Sequence, residues 1–320
     1  MEKTRNLEYR LLIIILLINI FYSYIFFVVP EVIIFSFVVF VPVSIYALKY
    51  TIDSKLIICM LLVELSIYLF YGIESFVLYS ILIIIPVLII SYLIRQRMSF
   101  AKSAAFFSMI LFVCILVAGI LLKHFFNVDV ASGYFNYIDL IKTNFINIYE
   151  EFIKFNINSK QEYTMVMESV NNVLYYMKYY FPAITYLLCM GVAFISIMSI
   201  RIVGNKLGLF KFNIKNIIYF NVSRKMLIFL IAIYCIHEFI INTNSYVYIA
   251  IDNMLLILMV MLFLLGILLE LFMIKKVRNA GKRMLYIAIL IFCLIFFQAY
   301  FIIVGFIDSL FHLRRKLNNA

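Results

Sequence analysis

The sequence predicts an all-α protein: a polytopic transmembrane helical bundle of about 8–9 spans with an extracellular amphipathic helical pair. Three observations predict it. Hydrophobic residues make up 67% of the 320 and charged residues only 13%, against about half and about a quarter in soluble domains. Apolar runs of about 20 residues recur along the chain, the length of a bilayer-crossing helix. The runs lack strand-like alternation, so helices rather than barrel strands satisfy the backbone in lipid.

The first run, 11–29, is followed by more membrane pattern and by no small-residue cleavage site, so it reads as a span rather than a leader. Pro30-Glu31 makes a tight turn into 32–47. Runs 56–71, 76–94 and 104–122 follow. The stretch 124–180 is a polar insertion with two amphipathic stripes. Ile138, Ile141, Phe145, Ile148, Phe152 and Phe155 form the first; Val166, Val170, Val173 and Met177 form the second. Ser159 and Glu162 have capping-box spacing at the start of the second helix. The pair reads as helices lying on the membrane face, or as a lid or docking surface. Runs 181–200, 226–241, 246–274 and 284–307 complete the bundle, with a basic linker at 201–225. The whole chain, 1–320, is expected to form a single integral membrane domain.

Charge sets the orientation. Basic residues gather in alternate connections: Lys3, Arg5 and Arg10; Lys49 and Lys55; Arg95, Arg97 and Lys102; Arg201 through Lys225; Lys275 through Arg283. The intervening turns carry Glu31, Glu74 or no charge. The positive-inside rule then puts the N-terminus in the cytoplasm and 124–180 outside. The net charge of +11 is accounted for by these short loops, so nucleic acid is not an expected partner; the lipid bilayer is. Arg314, Arg315 and Lys316 break the alternation. Either the last run is a hairpin breaking near Gln298-Ala299, or an earlier run does not cross. A helix over 284–313 is about 45 Å long against a bilayer core of about 30 Å. That length favours one tilted helix, and the preferred count is eight full crossings with both termini cytoplasmic.

Polar groups inside spans are the functional candidates, because a charge there is costly. Glu64 sits in mid-run with Tyr68 one turn on. It is either a protonated bridge between helices or the lining of a cavity for a cationic or hydrogen-bonding ligand. Asp252 and Glu270 lie about five turns apart on one face, with Asn253 and Gly266 near it; a small residue there permits close helix approach. His237 and Glu238 form a polar rim at the end of 226–241. Candidate ligand-binding residues are therefore Glu64, Tyr68, Asp252, Asn253, His237 and Glu238. Candidate interaction residues are Arg201, Lys211, Lys215, Asp308, Arg314 and Arg315. On an ideal helix Asp308, His312 and Arg315 share a face, which fits a helix leaving the membrane better than a reactive Asp–His pair.

Zinc-protease, nucleophile-elbow and phosphate-loop motifs are missing, and the five cysteines lack metal spacing. An enzyme is not expected, nor any catalytic residue, metal or cofactor. Heavy use of Ile, Lys and Asn fits an AT-rich bacterial genome and a bacterial plasma membrane.

The C-terminal "VGFIDSLFHLRRKL", with Gly305, Asp308, Phe311, Arg314 and Arg315, and the preceding "NMLLILMVMLFLLGILLELFMIKK", with Asn253 and Gly266, resemble the YybS-like family of bacterial polytopic membrane proteins. That family is a domain of unknown function, distantly similar to the substrate-binding subunits of energy-coupling vitamin transporters. The resemblance implies a substrate-binding or transport component that lacks its own ATPase. It also implies a small-molecule substrate, with a coupling subunit and ATPases as partners. The competing reading is a scaffold or regulatory protein acting through the basic linker and the outer helices.

Overall fold

The computed structural model describes residues 2–96, 98–155, 160–209, 224–240, 245–314 and 316. Among them there is no strand. The helices are α1 (Glu2–Val28), α2 (Phe37–Tyr50), α3 (Ser54–Tyr79), α4 (Ile85–Arg95), α5 (Phe100–Phe126), α6 (Val130–Phe155), α7 (Lys160–Tyr179), α8 (Phe181–Lys206), α9 (Arg224–Phe239), α10 (Tyr246–Lys276), α11 (Ala280–Phe296) and α12 (Gln298–Phe311). Contacts group into two compact units, Met1–Phe212 and Asn213–Ala320.

Among the described residues, 6 helical stretches are long and apolar enough to cross a membrane, or 7 with the bent pair α11–α12 counted as one. The sequence count of 8–9 is finer than this for two reasons. Runs 56–71 and 76–94 join into one helical stretch, Ser54–Arg95, and the described part of the 226–241 run, in α9, comprises 16 residues.

The joined stretch is not straight. Gly72 has φ 84° and ψ −178°, a conformation that a side chain strains. Glu64 and Ser80, 16 residues apart, share a 2.7 Å hydrogen bond; in a straight helix they would lie about 24 Å apart. The Tyr68 and Phe76 rings also meet, with centroids 6.3 Å apart. The chain therefore folds back on itself at Gly72.

In the first unit α1 runs parallel to the first leg of α3. The Lys55 ammonium pairs with Glu8, and the Cys59 thiol lies 3.7 Å from the Leu12 carbonyl. Tyr46 Oη donates toward Asp53 Oδ2 at 3.2 Å, while Asp53 caps α3 by accepting the Leu56 N–H at 3.0 Å. The face between α2 and α4 is closed by small buried residues, with Ser44 and Ser91 hydroxyls 3.0 Å apart; small polar residues let membrane helices approach and bond. Arg201 of α8 donates to the Met98 carbonyl and lies over the Phe100 ring. Lys49, Lys55, Lys102 and Arg201 thus collect at one end of this unit, where the chain connects α2 to α3 and α4 to α5.

Helices α6 and α7 form as expected. Asp129 begins α6, accepting the Ala131 N–H at 3.1 Å and pairing with Lys123 at 2.8 Å. The neighbouring ammonium holds its carboxyl below the usual range. Lys178 ties α7 to Asp139 of α6 at 2.7 Å. Of the first apolar stripe Ile138 is buried, whereas Ile141, Phe145 and Ile148 are exposed. The side chains of Phe152 and Phe155, and the capping box at Ser159, lie outside the described residues.

In the second unit α10 and α12 pack antiparallel with backbones in contact. A Cβ added to Gly266 would overlap the Phe301 backbone, and one on Gly305 the Leu262 carbonyl. Gly266 and Asn253 are buried, as the face assignment anticipated. Leu227 of α9 packs on Leu262 and Leu265.

The last apolar run is not the single tilted helix that its length favoured. It breaks at Phe297 (φ −130°, ψ 54°), and α11 and α12 meet at a 110° bend. The bend brings α12 back along α10, which seats Gly305 on Leu262 and buries Asp308; a straight helix would reach neither. No side chain of α11 is buried.

Candidate functional site

The α3 fold-back builds a site that combines an acidic side chain with a concavity. Glu64 comes from the first leg, ten residues beyond Ser54 and eight before Gly72. It is therefore about 15 Å and 12 Å from the two ends, at mid-depth of a leg the length of a bilayer core. Leu61, Leu65 and Tyr68 from the same leg and Ile73 and Phe76 beyond the turn complete a groove of about 550 Å³. Glu64 Oε1 is 2.7 Å from Ser80 Oγ.

That hydroxyl has a second acceptor in reach, the Phe76 carbonyl at 2.8 Å. A serine has one proton to give. With Glu64 ionised, Ser80 serves the carboxylate. With Glu64 protonated, the carboxyl donates to Ser80 and Ser80 serves the Phe76 carbonyl. The geometry fits both states of the acid. Behind the groove Tyr79, fully buried, donates to Asn19 Oδ1 at 3.1 Å. Neither Ser80 nor the Tyr79–Asn19 bond is among the candidate residues of the sequence; Asn19, a polar residue within the apolar run 11–29, carries the signal that could have found it.

The remaining ligand candidates lie in the second unit. His237 stacks on Tyr248, with centroids 4.5 Å apart. Its Nε2 is 3.7 Å from Asp252 Oδ1 and its Nδ1 3.7 Å from Glu238 Oε1. These spacings suit ion pairs once the imidazole is charged and are too long for hydrogen bonds. Asn253 donates to the Ile249 carbonyl of its own helix at 2.9 Å. Glu238 is 58% exposed. Glu64 and Tyr68 belong to the first unit and these four residues to the second.

The C-terminal signature also differs from its helical projection. Helix α12 stops at Phe311, and His312 turns left-handed with φ 52°. The turn carries Arg314 back onto Asp308. Arg314 Nε donates to Asp308 Oδ2 at 2.7 Å, Nη2 reaches the same oxygen, and the Arg314 N–H donates to Oδ1 at 3.2 Å. The aspartate is 0% and the arginine 2% exposed. Asp308 is thus engaged on both oxygens by Arg314, as half of a buried ion pair rather than the acid of a reactive dyad. Lys211, Lys215 and Arg315 lie outside the described residues. Among the described residues no group of three or more His, Cys, Asp or Glu could hold a metal.

A family model described as a predicted membrane protein (DUF2232) matches residues 11–309. The YybS-like resemblance of the C-terminal signature is consistent with that match. No curated protein and no solved structure matches the chain.

Proposed function

The chain belongs to the DUF2232 family of predicted membrane proteins, and on that footing we propose that it is a substrate-binding component of a transport system, without an ATPase or catalytic centre of its own. The observation that carries this reading is Glu64: a carboxyl at mid-depth, in a groove, with Ser80 as its hydrogen-bonding neighbour. Such a group is expensive to place in a span and is functional by default. A count of eight or nine crossings is supported by the fold-back at Gly72, which turns one apolar stretch into two legs. A cytoplasmic N-terminus is supported by the clustering of Lys49, Lys55, Lys102 and Arg201 at one end of the first unit. That orientation places the α6–α7 pair outside. A coupling subunit and ATPases are the partners this reading requires.

A scaffold role is favoured by one observation, the exposed apolar residues Ile141, Phe145 and Ile148 on α6. The test is a deletion strain complemented by variants, paired with copurification from mild detergent. Under the transport reading Glu64→Gln fails to complement and the wild type brings down an ATPase pair. Full complementation by Glu64→Gln, with loss of function on removing α6–α7, replaces it with the scaffold reading.

A further inference from the structure

We propose that the Glu64 groove takes a membrane-dissolved amphiphile with a protonated amine headgroup, which enters sideways from the lipid. The inference rests on the reading of Glu64 as ligand-facing and adds the class of ligand and its route.

The route follows from the lining. Leu61, Leu65, Tyr68 and Ile73 are each about half exposed at the mouth of the groove. These residues would meet acyl chains at the depth of Glu64. Between Lys55 and Glu64 the leg carries no hydroxyl or charge, residues 56–63 being apolar; toward the turn lie Tyr68 and Tyr71, with Glu74 beyond it. A water-soluble ligand entering from the Lys55 end would have to shed its hydration over about 15 Å of apolar surface. An amphiphile already in the bilayer does not.

The headgroup follows from charge. No Lys or Arg occurs between Lys55 and Arg95, so an ionised Glu64 has a hydroxyl beside it and no cation on its own hairpin. An ammonium supplies the missing charge and strong hydrogen bonds in a low-dielectric setting. Tyr68, one turn away, offers an aromatic face for the same cation. An anionic or neutral headgroup gains neither. With Glu64 ionised the Ser80 hydroxyl already donates to the carboxylate, so Glu64 keeps that donor when the cation binds. A groove of about 550 Å³ lies within the range of about 300–1,000 Å³ common to ligand sites.

The chain has no Trp, so Phe76→Trp places a single fluorophore in the groove. The protein is reconstituted in phosphatidylcholine vesicles and titrated with 12-bromododecylamine, 12-bromododecanol or 12-bromododecanoate, the bromine acting as quencher. Met109→Trp on lipid-exposed α5 corrects for partitioning of each probe.

The expected result is saturable quenching of the groove fluorophore by the amine at about tenfold lower mole fraction than by the alcohol, the weight of one charge-assisted hydrogen bond. Glu64→Gln should bring the amine curve onto the alcohol curve. Leu69→Ala, exposed on the same leg and not lining the groove, should keep the preference, which guards against a general defect of the leg. Equal corrected curves for amine and alcohol with Glu64 intact overturn the proposal and leave ordinary lipid in the groove. Quenching that vanishes as protein density rises overturns it in favour of a second copy of the chain. If the amine preference is found but Glu64→Gln complements fully in cells, the transport reading fails and the binding site stands. If no preference is found but Glu64→Gln abolishes function, only the amine inference fails.

Discussion

Gly305→Ala tests the packing on which the second unit depends. The added methyl would sit 2.9 Å from both the Leu262 carbonyl carbon and the Gly266 nitrogen, and closer still to the Leu262 oxygen. The oxygen overlap is the limiting one, so α12 must back away from α10 by more than about 1 Å to restore an ordinary contact. The obstacle is backbone and cannot rotate aside. Overpacking of this kind costs roughly 1–3 kcal/mol, against which alanine returns about 0.5–1 kcal/mol of helix propensity. A net loss of about 1 kcal/mol corresponds to a midpoint lower by about 2–4 °C. The assay is thermal stability in detergent by loss of the monodisperse peak. Gly191→Ala is the control, since a Cβ there meets nothing within 4 Å. Gly266→Ala should cost a similar amount. The double variant should cost less than the two together, because one separation of the helices relieves both overlaps. If Gly305→Ala is as stable as Gly191→Ala, the helices are not in backbone contact and the reasoning is wrong.

Two further predictions follow from neighbouring features. Asp308→Ala or Arg314→Ala alone leaves a buried charge uncompensated and should cost about 3–5 kcal/mol, while Asp308→Leu with Arg314→Met recovers much of the loss; thermal stability reads both, and equal losses in single and double variants would count against the pair. Tyr68→Cys with Phe76→Cys, in a background with the native cysteines replaced, should form an intramolecular disulfide on mild oxidation, since those rings touch across the fold-back; a straight helix would hold the two positions about 12 Å apart and form none.

Period and composition carry much of this architecture. The stripes that marked α6 and α7 and the apolar runs that marked the spans all appear as helices, and Gly266 and Asn253 face inward as their positions on α10 require. What periodicity misses is whatever depends on a break in the period. Asp308 was assigned neighbours by extending an ideal helix through His312, but the helix ends at Phe311. One left-handed residue then rotates the following side chains, so Arg314 takes the place that Arg315 holds in projection. Ser80 was invisible as a neighbour of Glu64 for the same reason, because it lies 16 residues away and meets it only through Gly72. Likewise the length of the last run argued for one helix, since length alone cannot register that a bend at Phe297 gains a buried ion pair and a glycine seat.

The reversal at Gly72 also has a bearing on address rather than shape. Membrane sidedness is a parity, passed along the chain from one crossing to the next. In the eight- or nine-crossing topology proposed above, a single turn sets the compartment of every loop after it, and Lys102, Arg201 and Lys206 would owe their shared side with Lys55 to one residue with positive φ. Straightening that turn would not merely deform a groove. It would send the later basic loops to the opposite face of the bilayer, against the charge bias that governs insertion.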